Sequence, residues 1–130
     1  MQVVYIEDNP SNLLLMQRIF ALRPDLELLV ATSGAAGLEL IRRTEPVLVL
    51  LDLRLPDIQG ADLLHELKSD SRTAPIPVVV ISGDRIDSDV AAHELAEAAQ
   101  IITKPFDLSA LLESVDRLCQ VPRLWDGQPT

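Results

Sequence analysis

The sequence contains few of the residues that would place it in an oxidising compartment or a membrane. Cys119 is its single cysteine, so the chain cannot form an internal disulfide, as expected for a protein of the reducing cytosol. No apolar run approaches the roughly 20 residues that span a bilayer, and no signal-peptide pattern opens the chain. Aromatic residues make up only 3% of the chain, so Leu, Val, Ile and Ala must fill the core. These shortages predict a water-soluble, cytoplasmic domain.

Basic residues are also scarce. Eleven Lys and Arg residues oppose 20 Asp and Glu residues, which gives a net charge of −9. This charge repels phosphate backbones and anionic lipid surfaces, so we expect no direct binding of nucleic acid or membrane. A chain of 130 residues fits one domain with a single core. We expect this domain to cover residues 1–119, because residues 120–130 lose the helical periodicity and have the character of a tail or linker.

Short apolar runs alternate with segments of helical periodicity along the chain. The runs predict five strands, at "VVYI" (3–6), "LELLVA" (26–31), "VLVLL" (47–51), "PVVVI" (77–81) and "QIIT" (100–103). The other segments predict helices, at residues 9–22, 34–43, 60–70, 87–99 and 107–119. Asn9, Ser33 and Asp107 are candidate N-caps. This alternation predicts an α/β fold, a flavodoxin-like (βα)5 doubly wound parallel sheet, for which 2-1-3-4-5 is a common strand order.

Polar residues follow four of the predicted strands. They are Glu7-Asp8 after the first, Asp52 after the third, Ser82-Gly83-Asp84 after the fourth and Thr103-Lys104-Pro105 after the fifth. Taken singly, each has an ordinary explanation, such as acids placed ahead of a helix N-terminus. In the order 2-1-3-4-5, however, these four strands are neighbours, and ligands bind outside the carboxyl ends of such strands. Their joint position therefore favours a functional site.

The charges of these residues predict its chemistry. Carboxylates packed within a few ångströms repel one another, and Lys104 supplies only one positive charge. A hard divalent cation with oxygen ligands would balance the remainder, and Mg²⁺ suits a partial cage that shares a phosphate. Asp52 could then attack phosphorus, while Ser82 and Lys104 contact the transferred group. The pattern predicts a phosphoryl acceptor that forms an acyl phosphate on Asp52.

The chain resembles the receiver domain of two-component response regulators over about residues 2–119. The shared motifs are the acidic pair Glu7-Asp8, "D-x-x-x-P-x-x-x-G" at Asp52, Pro56 and Gly60, then Ser82-Gly83, and finally Lys104-Pro105-Phe106. The separations of 44, 30 and 22 residues (8 to 52, 52 to 82, 82 to 104) also match the family. The resemblance implies a regulatory phosphoacceptor that assists its own phosphorylation and dephosphorylation, rather than an enzyme.

The resemblance also implies a role for each site residue. Asp52 would receive its phosphoryl group from a histidine kinase or a histidine phosphotransfer domain, and Ser82 and Lys104 would contact that group. The implied Mg²⁺ ligands are Asp8, Asp52, the Arg54 backbone carbonyl and, through water, Glu7. The Lys104–Pro105 peptide bond would be cis. These roles imply that phosphorylation of Asp52 carries the signal.

Partners and context follow from the same resemblance. The output surface would be the face formed by the fourth helix, the fifth strand and the fifth helix. A homodimer is a further assembly that the resemblance allows. "EDNPSN" (7–12) is similar to the opening of receivers fused to hybrid histidine kinases, so the chain is either such a receiver or a stand-alone regulator.

One position departs from the family, and a pair of residues extends its pattern. Ile101 occupies the place, three residues before the lysine, where the family commonly has an aromatic switch residue. Arg54 and Asp84 lie two residues after Asp52 and Ser82, so both are expected at the mouth of the pocket. We hypothesise that they pair and shield the acyl phosphate from water, against the alternative of two solvated side chains whose pairing is worth at most about 1 kcal/mol.

Three other functions are less compatible with the sequence. A haloacid-dehalogenase-type phosphatase needs a second acid where Arg54 stands, and a dinucleotide-binding fold needs a glycine-rich turn where "EDNPSN" stands. A pseudo-receiver, which would be an interaction module that is never phosphorylated, has the same fold and remains the main alternative. Phosphorylation of Asp52 distinguishes it from a true receiver.

Overall fold

The computed structural model describes residues 1–83, 89 and 93–120. In chain order the elements are β1 (Gln2–Ile6), α1 (Pro10–Phe20), β2 (Glu27–Ala31), α2 (Gly34–Thr44), β3 (Leu48–Asp52), α3 (Gly60–Ser69), β4 (Val78–Ser82), β5 (Gln100–Thr103) and α4 (Leu108–Gln120). Helix α4 is the fifth of the helices predicted from the sequence. The alternation of strands and helices is confirmed along the described residues.

The five strands form one parallel sheet in the order β2-β1-β3-β4-β5, as predicted. Successive residues of each strand face opposite sides of the sheet, and both sides are covered. On one side, Val3 and Tyr5 belong to a buried cluster with residues of α1 and α4, such as Met16 and Leu111. On the other side, Val4 and Ile6 pack with α2 and α3, together with alternate residues of β3 and β4, namely Val49, Leu51, Val78 and Val80. The central strands are therefore apolar on both faces.

Local signals fix the beginnings of the helices. The Asn9 side chain accepts hydrogen bonds from the N–H groups of Ser11 and Asn12, with proline at the start of α1. The Ser33 hydroxyl accepts from the Ala36 N–H at the start of α2. The Asp107 carboxylate accepts from the Ser109 N–H ahead of α4. All three predicted caps are confirmed.

The predicted helix 87–99 is shorter than expected at its end. Residues 84–88 and 90–92 of this region lie outside the described residues. Residues 93 and 94 are helical, but residues 95–99 are not. Beyond the helix, the Ala99 N–H bonds to the Val78 carbonyl at 2.8 Å, which aligns the next residues with β4. Of the predicted tail at residues 120–130, Gln120 ends α4 and residues 121–130 lie outside the described residues, so the proposed domain limit at residue 119 stays a prediction.

None of the helices in the described part of the chain combines the length and apolar character needed to cross a membrane.

Candidate functional site

The carboxyl ends of the strands bring the predicted residues to one edge of the sheet. Glu7 and Asp8 follow β1, and Asp52 is the last residue of β3. One carboxylate oxygen from each of these three acids lies within 4.8 Å of the others. Together with Asn9, Asn12, Arg54, Gly83 and Lys104, they line a cleft of about 230 Å³. The sequence therefore identified residues that do converge.

The three acids differ in their exposure to solvent. The side chain of Asp8 is exposed, whereas Glu7 is 1% exposed and Asp52 is 7% exposed. Burial of a carboxylate is costly unless hydrogen bonds or positive charges compensate for it. The hydrogen-bond donors around Glu7 and Asp52 therefore decide how easily each of these two acids keeps its negative charge.

Glu7 is surrounded by donors. Its Oε1 atom accepts from the Tyr5 hydroxyl at 3.0 Å, from the Asn12 side-chain amide at 3.1 Å and from Lys104 Nζ at 3.1 Å. Its Oε2 atom accepts from the Asn9 backbone N–H at 3.2 Å. Burial by itself raises the pKa of Glu7, but hydrogen bonds from Asp52, Lys104 and Asn9 lower it below its usual value. Glu7 therefore keeps its negative charge.

Asp52 has fewer donors and the opposite shift. Its Oδ1 atom accepts from the Arg54 backbone N–H at 3.1 Å, and its Oδ2 atom lies 3.9 Å from Lys104 Nζ. Burial, followed by the nearby Glu7, raises the pKa of Asp52 to about 6, although the Arg54 N–H and Lys104 oppose the increase. Lys104 is thus closer to Glu7 than to the predicted phosphoacceptor.

Tyr5 and Asn12 are two members of this network that the sequence analysis missed. Tyr5 precedes Glu7 by two residues on β1, so the strand period of two could have placed both side chains on the same side. The pKa of the Tyr5 hydroxyl is raised, first by burial and then by the charge of Glu7. Tyr5 therefore stays a neutral donor to Glu7.

The remaining predicted residues have defined positions. Ser82 ends β4 and is 3% exposed, and its carbonyl accepts from the Lys104 N–H at 2.7 Å. The Lys104–Pro105 peptide bond is cis, as predicted. Ile101 is half-buried on β5 and packs against the cluster that covers the α2 and α3 side of the sheet. Asp84 lies outside the described residues, so its pairing with Arg54 stays a hypothesis.

The donor set fits a hard divalent cation. Clustered carboxylate oxygens are the ligands that Mg²⁺ and similar ions prefer. The close approach of Glu7, Asp8 and Asp52, together with the raised pKa of Asp52, indicates uncompensated negative charge that a cation would relieve.

Comparisons with known proteins agree with this geometry. Residues 3–116 match the Response regulator receiver domain family. Protein PilH from Pseudomonas aeruginosa is 24% identical over 115 residues, which cover 88% of this chain and 94% of PilH. The receiver domain of a LuxO repressor protein from Vibrio parahaemolyticus is 25% identical and superposes with a TM-score of 0.86, covering 96% of this chain and 94% of that chain.

A third match concerns a metal. The Mn²⁺-bound form of response regulator Rcp1 is 26% identical with a TM-score of 0.73, covering 99% of both chains. None of these three matches is specific to hybrid histidine kinases, so that origin stays a prediction.

Proposed function

Because the chain belongs to the response regulator receiver family, we propose that it is the phosphoacceptor of a two-component phosphorelay. The observation that carries this proposal is the convergence of Asp52 with Glu7, Asp8 and Lys104 in one cleft. The proposed donor is a phosphohistidine on a histidine kinase or a histidine phosphotransfer domain. The proposed product is an acyl phosphate on Asp52.

In this reaction an Asp52 carboxylate oxygen attacks the phosphorus atom of the phosphohistidine. A P–O bond forms as the P–N bond breaks, and the electron pair of the P–N bond stays on the imidazole nitrogen, which then takes up a proton. Asp52 must be ionised to attack, and its pKa of about 6 leaves it mostly ionised at neutral pH. The Arg54 N–H holds the other carboxylate oxygen, so the attacking oxygen is oriented.

Lys104 is proposed to bind the transferred group. Its Nζ atom lies 3.1 Å from Glu7 and 3.9 Å from Asp52, so a small movement brings it from Glu7 to a phosphoryl oxygen. Ser82 ends the neighbouring strand, and its hydroxyl would donate a hydrogen bond to a second phosphoryl oxygen.

We propose that Asp8 and Asp52, the Arg54 carbonyl and, through water, Glu7 hold Mg²⁺. When bound, the ion would neutralise negative charge on the transferring phosphoryl group. The Mn²⁺-bound form of Rcp1, a related response regulator, supports a divalent cation for this family. This assignment makes phosphorylation of Asp52 dependent on Mg²⁺.

The surface next to the cleft is compatible with a helical phosphodonor. Leu14 and Leu15 of α1 are 49% and 51% exposed. Leu15 also lines a second cavity of about 240 Å³ that reaches Lys104 and Phe106. Exposed apolar side chains beside a functional cleft favour a protein partner.

We expect the reaction to take place in the cytoplasm. We expect the output surface, which contacts the next protein, to be the face that includes β5 and α4.

Phosphorylation with a small donor tests the proposal. Incubation with acetyl phosphate and Mg²⁺ should add one phosphoryl group to the intact protein, as measured by mass spectrometry. This increase in mass should be absent when EDTA is present, and it should be absent in the Asp52→Asn variant. Absence of any increase in the wild type would instead favour the pseudo-receiver, an interaction module that is never phosphorylated.

Substitution of Lys104 tests whether this residue acts in cation binding or in transfer of the phosphoryl group. In Lys104→Ala, we expect Mg²⁺ binding to be retained or strengthened, because a positive charge near the carboxylates is lost. We expect the rate of phosphorylation by acetyl phosphate to fall by about tenfold or more, since one charged contact to the phosphoryl group is removed. Equal rates in the wild type and the variant would remove Lys104 from the reaction.

A further inference from the structure

The loop between β3 and α3 is attached to the first turn of α2 by Asp57. Asp57 Oδ1 accepts from the Gly34 N–H at 2.8 Å, and Oδ2 accepts from the Ala35 N–H at 2.9 Å. These N–H groups begin a helix and have no acceptor within it. A carboxylate is favoured at this end of the helix dipole. Both oxygens of one loop residue are thus used to hold a helix that lies 23 residues earlier in the chain.

A packing contact reinforces this attachment. A Cβ atom added at Gly34 would collide with the Ile58 Cγ2 atom. The Ile58 side chain therefore rests directly on the backbone of α2, and glycine at position 34 is what permits this approach. Two adjacent loop residues therefore join the loop to α2, Asp57 through its charged carboxylate and Ile58 through packing.

The other end of the same loop is attached to the phosphoacceptor. The Arg54 N–H donates to Asp52 Oδ1 at 3.1 Å. Arg54 also pairs with Gln59 in an antiparallel bridge, and the Gly60 N–H donates to the Leu53 carbonyl at 2.9 Å. The loop is therefore closed on itself, so a displacement of residues 57–59 would displace Arg54.

We propose that Asp57 is a positioning residue that fixes the Arg54 backbone beside Asp52 by clamping the loop to α2. This inference rests on the proposed function, because the Arg54 carbonyl is a proposed Mg²⁺ ligand. Release of Asp57 would let the loop move, which would misplace that carbonyl and the N–H that orients Asp52. Independently, the hydrogen bonds from the Ala35 and Gly34 N–H groups lower the pKa of Asp57, so it stays ionised at neutral pH.

The simpler role for Asp57 is to stabilise the end of α2. Ser33 provides the matched control, because its hydroxyl accepts from the Ala36 N–H at the same helix end. Ser33→Ala weakens that end without removing the clamp between loop and helix. Asp57→Asn keeps one acceptor oxygen, and Asp57→Ala keeps none. The comparison therefore separates a helix cap from a clamp.

The experiment is an NMR titration of the four proteins with MgCl₂, with urea unfolding as the measure of stability. We expect Asp57→Ala to bind Mg²⁺ on the order of tenfold more weakly than the wild type, as when outer contacts of a metal site are removed. We expect Asp57→Asn to be intermediate and Ser33→Ala to retain wild-type affinity despite a loss of stability. Wild-type affinity in Asp57→Ala would overturn the inference.

A second readout does not need the cation. In the metal-free proteins, the amide resonances of Arg54 and Leu53 should shift in Asp57→Ala but not in Ser33→Ala. Unchanged resonances would also overturn the clamp. If the wild type does not bind Mg²⁺ at all, the proposed function fails, and the amide shifts still decide whether Asp57 positions the loop.

Discussion

Replacement of Asp52 by asparagine should stabilise the metal-free protein at neutral pH. The fold raises the pKa of Asp52 from 3.8 to about 6, so the folded protein holds this proton more tightly than the unfolded chain does. Folding stability therefore falls as the pH rises from about 4 to about 6, and the full cost is present above that range. At about 1.4 kcal/mol per pKa unit, the cost is at most about 3 kcal/mol. Asparagine resembles the protonated, uncharged form of aspartic acid, so the Asp52→Asn variant does not have this cost.

Urea unfolding in EDTA at two pH values tests this reasoning. Between pH 4.5 and 7.5, the Asp52 contribution should lower the wild-type free energy of unfolding by about 2 kcal/mol, and this loss should be absent in Asp52→Asn. The corresponding difference in melting temperature is roughly 8 °C. Glu7 cannot produce this effect, because its pKa is lowered and its stabilising contribution is lost only as the pH falls below about 4.5.

Addition of Mg²⁺ supplies the control. At pH 7.5 it should raise the stability of the wild type, by binding the folded state, and should have a smaller effect on Asp52→Asn. The reasoning is refuted if Asp52→Asn is no more stable than the wild type at pH 7.5 without metal. It is equally refuted if the difference between the two proteins is the same at both pH values.

Three further substitutions test the contacts around the site. A Cβ atom at Gly60 would lie 2.5 Å from the Cα atom of Leu53, so Gly60→Ala should lower the free energy of unfolding by about 1–3 kcal/mol. Gly83→Ala, whose nearest contact among the described residues is at 4.0 Å, should change the free energy of unfolding by less than about 0.5 kcal/mol, and equal effects would contradict the close approach at Gly60. Tyr5→Phe removes a buried donor to Glu7 and should cost about 1 kcal/mol in urea unfolding. It should also raise the pKa of Glu7, as followed by the NMR shift of its carboxyl carbon, and an unchanged pKa would contradict the role given to the hydroxyl.

The fold was predictable because its signals are local. The strand at residues 100–103 has the predicted limits, and the observed strand order is a common one for this alternation of strands and helices. The limit of β3 was missed by one residue, because Asp52 itself pairs in the sheet opposite Ile81 although its charge marked it as the start of a loop. The sequence pattern thus located the elements, and the errors lie at their ends. Leu26 and Val47 were placed in strands that begin one residue later, and residues 95–99 were placed in a helix that does not include them.

The site was predictable only in outline. The predicted strand ends identified which residues come together in the cleft. They did not predict which of these side chains form hydrogen bonds or ion pairs with each other. The contact of Lys104 with Glu7 rather than Asp52 depends on distances that differ by less than 1 Å. The sequence does not single out Asp57, because its partners lie 22 and 23 residues away and are backbone N–H groups that any helix possesses. Such contacts have no signature in residue type or spacing.

The unequal distribution of donors also explains how two buried acids can differ in function. Glu7 accepts four hydrogen bonds from Tyr5, Asn9, Asn12 and Lys104, so it holds its charge and remains poorly suited to form a new bond. Within the described residues, Asp52 accepts a hydrogen bond from the Arg54 backbone N–H through one oxygen, and its raised pKa makes it the member of the pair that takes up a proton first as the pH falls. Below about pH 6 a cation that binds these oxygens must displace that proton, so cation binding and ionisation of the nucleophile are thermodynamically linked. Of these two buried acids, Asp52 is therefore the one that can both respond to the cation and accept a phosphoryl group.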